Sequence, residues 1–200
     1  MSSGARGVSV VSFRIQEGWV AFAVDGLGRV FANSIPCPER RASVSSVIRS
    51  LERRGISEIS IGDVPDQRGR IEELPSVLSG GGGRAELAFD GFSVLQATIM
   101  KAVMGIPRGY VASYGDVASA IGKPSLARAV GAAMSRNPFP LVVPCHRVVR
   151  SDMSLGGFSY GVDLKERLLE REGVEVTGGK VRERHRLARD KLSCRSLRCP

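Results

Sequence analysis

A cysteine and a histidine stand side by side in Pro144-Cys145-His146-Arg147-Val148-Val149, directly after the apolar run Leu141-Val142-Val143. A thiol beside an imidazole is a candidate activated nucleophile: the thiolate is the reactive form, and a free cysteine is mostly protonated at neutral pH. The apolar run predicts a buried strand that delivers Cys145 at its end. Adjacent side chains of an extended segment point to opposite faces, so sequence neighbourhood alone does not bring His146 onto the Cys145 sulfur.

The remaining composition removes several other chemistries. At 200 residues and 42% hydrophobic content, the chain has room for one large domain or two small ones. Its apolar runs fall short of a membrane span and residues 1–6 lack a secretory hydrophobic core, so an intracellular, cytoplasmic protein without a membrane partner is expected. Cys37, Cys145, Cys194 and Cys199 with His146 and His185 show no CxxC spacing and too few soft ligands to close a zinc site. The Cys194/Cys199 pair reads either as a local disulfide or as part of a frayed basic tail. The glycines at 80–83 are not followed by Lys-Ser/Thr, so neither a phosphate loop nor a nucleotide cofactor is expected. A net charge of +9 favours a polyanionic partner. Of the 29 basic residues only Lys101, Lys123, Lys165, Lys180 and Lys191 are lysines, an arginine excess that suits phosphate contacts but also fits genomic bias or heat adaptation.

The elements that must hold the cysteine follow from periodicity. Residues 8–13, 19–24 and 29–31 alternate as strands, with Asp25-Gly26-Leu27-Gly28 as a turn. Val44, Val47, Ile48 and Leu51 predict a helix over 39–54, and 56–61 returns to strand. Pro65, Pro75 and the glycine run mark a linker over 62–84. The expected fold is therefore α+β. An N-terminal antiparallel sheet-plus-helix domain with its linker covers 1–84, a mainly helical domain 85–176, and a basic tail 177–200.

In the second domain, Phe92, Leu95, Ile99 and Val103 predict a helix ended by Gly105 and Pro107. Ser113 and Asp116 have capping-box spacing before a short helix, and Ser125 can cap a second one, 126–135. Two short helices across the Gly122-Lys123-Pro124 turn form a helix-turn-helix, winged-helix-like pattern. Ala127, Ala129 and Gly131 on the second helix suit either close helix packing or entry into a DNA groove, with Arg128 filling the gap left by an extruded base. Val162, Leu164, Leu168 and Leu169 stripe a final helix closed by Gly173.

Four segments then occur in a telling order: Ile106 to Gly115, Ala127 to Gly131 with Asn137-Pro138, Pro144 to Val149, and Lys165 to Gly173. Together they resemble the O6-alkylguanine-DNA alkyltransferases, or methylated-DNA-protein-cysteine methyltransferases, over residues 92 to 173. The N-terminal half shares only the general architecture. The resemblance implies a DNA repair protein that flips an O6-alkylguanine nucleotide out of double-stranded DNA via the minor groove. Its alkyl group passes irreversibly to Cys145, once per molecule, with no metal or cofactor and as a monomer.

The resemblance also assigns roles. His146 activates Cys145 through a water, Glu172 orients His146, and Asn137 braces the active-site turn. Tyr114 crowds the target phosphate and Arg128 fills the vacancy, with Ser113, Ala127, Ala129, Gly131 and Arg136 facing the DNA. Met134, Pro140, Gly156, Gly157, Phe158 and Ser159 wall the guanine pocket, and backbone groups near Cys145, Val148 and Ser159 read the base edge. Phe158 stands where the family commonly has tyrosine and Tyr160 where it commonly has glycine. The first loses a hydroxyl donor, and the second narrows the pocket for benzyl-sized adducts. Two other readings compete: a lesion-sensing or regulatory DNA-binding module with an inert Cys145, and a cysteine hydrolase using Cys145, His146 and Glu172.

Overall fold

In the computed structural model, residues 7–62, Leu74 and 85–192 are described. The chain divides into two compact units, Met1–Gly91 with Pro138–Val142 and Phe92–Asn137 with Val143–Pro200. Linker composition puts the boundary at residue 84, whereas the division lies at Gly91 and a short proline-bearing segment returns to the first unit. A linear reading misses that return because the glycine-rich run marks only one crossing.

The first unit contains β1 (Val8–Ile15), β2 (Gly18–Val24), β3 (Val30–Asn33), α1 (Arg40–Glu52) and β4 (Ile59–Ile61). The sheet order is β3-β2-β1-β4, with β1 to β3 antiparallel and β4 parallel to β1. Asp25 shapes the β2–β3 turn: its Oδ1 accepts the Leu27 and Arg29 N–H groups at 3.0 Å. Alternation puts Val8, Val10, Ala21, Ala23 and Ala32 in one core with Val47 and Leu51 of α1. Alanine at three of these sheet positions lets the helix approach closely. Gly55, at φ 73, stops the chain beyond α1, close to the predicted end.

The second unit opens with α2 (Val94–Met104), capped by a reciprocal Ser93–Gln96 box. It continues through β5 (Ala112–Ser113), α3 (Tyr114–Ala120), α4 (Ala127–Ser135), β6 (Val148–Val149), α5 (Val162–Arg171), β7 (Val176–Thr177) and β8 (Lys180–Val181). The box expected at α3 is present: Ser113 Oγ accepts from Asp116 N–H, and Asp116 Oδ2 accepts from Ser113 N–H, both at 3.0 Å. Ser125, by contrast, does not cap α4. Pro124 opens a 3-10 turn over Pro124–Leu126 that absorbs Ser125, and α4 starts from Leu126 without a side-chain cap.

Strand β6 pairs in parallel with β5, bringing Val148 opposite Ala112 and Val149 opposite Ser113. Val111, Val149, Met153, Leu155, Leu169, Val174 and Val181 close the core beneath. Residues 177–192, read from sequence as a basic tail, carry part of this fold. The β7–β8 hairpin leads into a 3-10 turn, and Arg186 bridges to Val111. Arg186 Nη2 and Arg189 Nε then meet the fully buried Asp116 carboxylate at 3.1 and 2.7 Å. A buried carboxylate needs such compensation, and these arginines supply it from seventy residues downstream. Cys194 and Cys199, with any disulfide between them, lie outside the described residues. Among the described residues no helix is long and apolar enough to cross a membrane.

Candidate active site

Cys145 does not end a strand. Leu141, at φ 72, lies in a turn, and Cys145–Arg147 form a 3-10 turn running into β6. The expected strand fails because Pro138, Pro140 and Pro144 remove three N–H donors from the stretch. With three residues per turn, Cys145, His146 and Arg147 leave the backbone roughly 120° apart, each with its own surroundings.

His146 Nε2 lies 3.0 Å from Glu172 Oε1 at the C-terminal end of α5. Arg147 clamps the same carboxylate, Nε donating to Oε2 at 2.8 Å and Nη2 to Oε1 at 2.7 Å, while Nη1 donates to Ile106 O at 2.6 Å. Burial alone would raise the Glu172 carboxyl, but the hydrogen bonds from His146 and Arg147 prevail and hold it at about 2. An ionised carboxylate only accepts, so Nε2 carries the hydrogen and the lone pair of neutral His146 lies on Nδ1. That Nδ1 is buried and has no hydrogen-bond partner among the described residues. Burial pulls the His146 pKa down and Glu172 opposes it, leaving a neutral acceptor at physiological pH.

The thiol itself is only 6% exposed. Burial pushes its pKa up, against a hydrogen bond from Asn137, the charge of Lys165 and nearby backbone N–H groups. The resting group is therefore a thiol that needs a base. Asn137 also donates Nδ2–H to Val143 O at 2.9 Å, tying down the approach to Cys145. Lys165, fully buried, donates to Val148 O and Leu155 O at 2.6 Å each. Burial lowers it to about 8, with Cys145 acting the other way.

Neither Lys165 nor Arg147 was given a role from sequence. Lys165 sits four residues before buried Leu169, so its place on the inner face of α5 was a readable signal. Arg147 offered no comparable signal, because its partner is 25 residues away.

Cys145 opens on a cavity of about 330 Å³, within the range of small-molecule sites. The structure brings Tyr114, Gly131, Met134, Gly157, Phe158 and Ser159 together with Cys145 around this space, and adds Ser135, which the sequence reading did not include. Ser159 Oγ donates to Ser135 O at 3.2 Å, linking the glycine loop to the end of α4. Pro140, Val148, Gly156 and Tyr160 are not among the lining residues. Pro140 belongs to the first unit, where its carbonyl accepts from Asn33 Nδ2 at 2.7 Å. The Val148 carbonyl is engaged by Lys165. The Tyr160 ring lies 5.5 Å from that of Phe158, which does line the cavity.

Helix α4 turns Val130, Ala133 and Met134 inward and leaves Arg128, Ala132, Ser135 and Arg136 exposed. Ala127, Ala129 and Gly131 are half-buried. Gly131 faces Tyr114, where an added Cβ would stand 3.9 Å from the ring, an ordinary van der Waals contact, so packing at this position does not itself require glycine. Ser113 is buried in its capping box.

Fold and site together define an α+β protein with a buried thiol opening on a ligand-sized cavity next to a helix-turn-helix pair. Residues 94–174 match the family model described as 6-O-methylguanine DNA methyltransferase, DNA binding domain. The chain is 33% identical over 174 residues to a methylated-DNA--protein-cysteine methyltransferase of Thermococcus kodakarensis, covering 84% of this chain and 97% of the relative. It is 49% identical over 92 residues to the protein of that name in Methanothermobacter thermautotrophicus, there spanning 46% of this chain and about half, 51%, of the relative.

Among solved structures it is similar to the O6-methylguanine-DNA methyltransferase of the hyperthermophilic archaeon Pyrococcus kodakaraensis (TM-score 0.60, 33% identity, 84% of this chain and 99% of that one). It is also similar to Mycobacterium tuberculosis OGT in complex with DNA (TM-score 0.62, 28% identity, 83% and 93%). The chain belongs to the methylated-DNA--protein-cysteine methyltransferase family.

Proposed function

We propose that this chain repairs double-stranded DNA by moving the alkyl group of an O6-alkylguanine onto Cys145, irreversibly and once per molecule. The supporting observation is the thiol that shares a nucleobase-sized cavity with Tyr114, Met134 and Phe158 while the free lone pair of a neutral histidine lies buried on the adjacent residue. The Cys145 proton passes to His146 Nδ1 through a bridging water, the relay that the family resemblance implies. The thiolate displaces the alkyl carbon from O6 as the S–C bond forms and the O–C bond breaks, and guanine leaves with its electron pair and takes up the proton. Glu172 stabilises the transient imidazolium and Arg147 keeps Glu172 ionised, which is base-plus-orienter chemistry. A thioether has no good leaving group, so the protein does not regenerate.

Delivery of the base requires extrusion through the minor groove. Arg128 on the exposed face of α4 enters the emptied stack, and Tyr114 crowds the target phosphate. One copy suffices to enclose one nucleotide, and the protein works inside the cell where DNA is accessible. Incubation with O6-methylguanine duplex should raise the mass of the Cys145 peptide by one methylene. Binding without a mass change would instead favour a lesion sensor, and turnover of esters or amides a hydrolase.

A further inference from the structure

Resting on that alkyl-transfer reading, an extruded nucleotide must keep its phosphodiester at the rim of the cavity, because burying an unpaired anion is prohibitively costly. Arg150 is exposed, and no carboxylate among the described residues pairs with its guanidinium. It stands at the head of a tight turn, its N–H donating to Ser154 O at 2.9 Å and its carbonyl accepting from Met153 N–H at 3.0 Å. Met153 closes that turn at φ 63, a conformation more natural to glycine, and its side chain is held in the core.

The Arg150 side chain is directed over Gly156. A Cβ built on Gly156 would lie 3.3 Å from Arg150 Cγ, 3.6 Å from Arg150 Nε and 3.6 Å from Tyr114 Oη. Glycine at φ 68 thus lets a guanidinium and a phenol converge beside the cavity that Tyr114, Gly157 and Cys145 line. We propose that Arg150 and Tyr114 form a two-point seat for a phosphodiester flanking the extruded nucleotide, with Arg150 supplying the charge. A guanidinium fork matches two phosphate oxygens, and the phenol donates to one of them. The arginine's charge reaches the site: burial and then Cys145 push the Tyr114 phenol up, and Arg150 opposes both.

The test crosses protein and DNA variants. Single-turnover transfer, at protein concentrations below saturation, is followed with O6-methylguanine duplexes carrying either normal phosphates or one neutral methylphosphonate 5′ or 3′ of the lesion. Arg150→Ala should slow transfer from normal duplex on the order of tenfold and reduce the logarithmic salt slope by about 0.9, the contribution of one phosphate. At one flank the methylphosphonate should slow wild type similarly yet cause no further loss in Arg150→Ala, since the two changes delete the same contact. Arg150→Lys should restore the salt slope while recovering only part of the rate. Independent, multiplying losses at both flanks, or wild-type rates in Arg150→Ala, would overturn the seat. A wild-type chain that accepts no methyl from normal duplex would instead overturn the reading on which it rests.

Discussion

Replacing Glu172 by glutamine tests the network behind the thiol with both a sign and a size. The carboxylate, 13% exposed, accepts from His146 Nε2 and from two arms of Arg147. An amide keeps one accepting oxygen, turns its NH2 towards a donor and removes the charge. Holding a carboxyl at about 2 against an ordinary 4.5 corresponds to about 3 kcal/mol of native-state stability at pH 7. The native value lies below the unfolded one, so this contribution is complete above about pH 4.5 and disappears as the pH falls towards 2. Urea unfolding followed by circular dichroism should therefore show Glu172→Gln about 3 kcal/mol less stable at pH 7, equivalent to roughly 6–12 °C in Tm for a chain of this size. The gap should close between pH 4.5 and 2. Alkyl transfer at pH 7 should fall on the order of a hundredfold, because His146 loses the anion that supports its basicity. A stability difference that stays constant across this pH range would refute the assignment of the effect to charge.

Lys165→Met preserves most of the buried volume but removes a positive neighbour of Cys145. The pH profile for alkylation of this thiol by iodoacetamide should move to higher pH, and a move to lower pH would contradict the electrostatic role. Tyr160 packs 5.5 Å from the cavity-lining ring of Phe158, so Tyr160→Gly should speed reaction with O6-benzylguanine several-fold more than reaction with methylated duplex. Equal benzylguanine rates in wild type and variant would remove Tyr160 as a size filter.

Local signals were readable in the sequence to the extent that they were complete within a few residues. Ser113 and Asp116 carry their whole capping box in four positions, and Gly55 and Gly173 mark the helix stops where the chain needs positive φ. The Cys145 segment misled because Leu141, Val142 and Val143 have the composition of a strand, while the consequence of three prolines within seven residues is geometric. Asp116 shows a different boundary of legibility. Its capping role is local, but Arg186 and Arg189 reach it from segments that composition marks as a solvated tail. The i, i+4 spacing of Lys165 and Leu169 marks a shared inner face of α5, but the Val148 and Leu155 carbonyls that receive the ammonium are seen only in the fold. Cys145, His146 and Glu172 were singled out by motif order, yet Arg147, which with His146 holds Glu172 ionised, becomes visible only once α5 and the 3-10 turn at Cys145 are side by side.

In the proposed reaction one sulfur accepts one alkyl group for good. Duplex DNA bearing O6-(trideuteromethyl)guanine in tenfold excess, followed by intact-protein and peptide mass spectrometry, tests it directly. Lesion loss should stop at one equivalent per chain, with all of the label on Cys145 and none acquired by Cys145→Ser. Continued lesion loss beyond one equivalent, or label on any other residue, would contradict it.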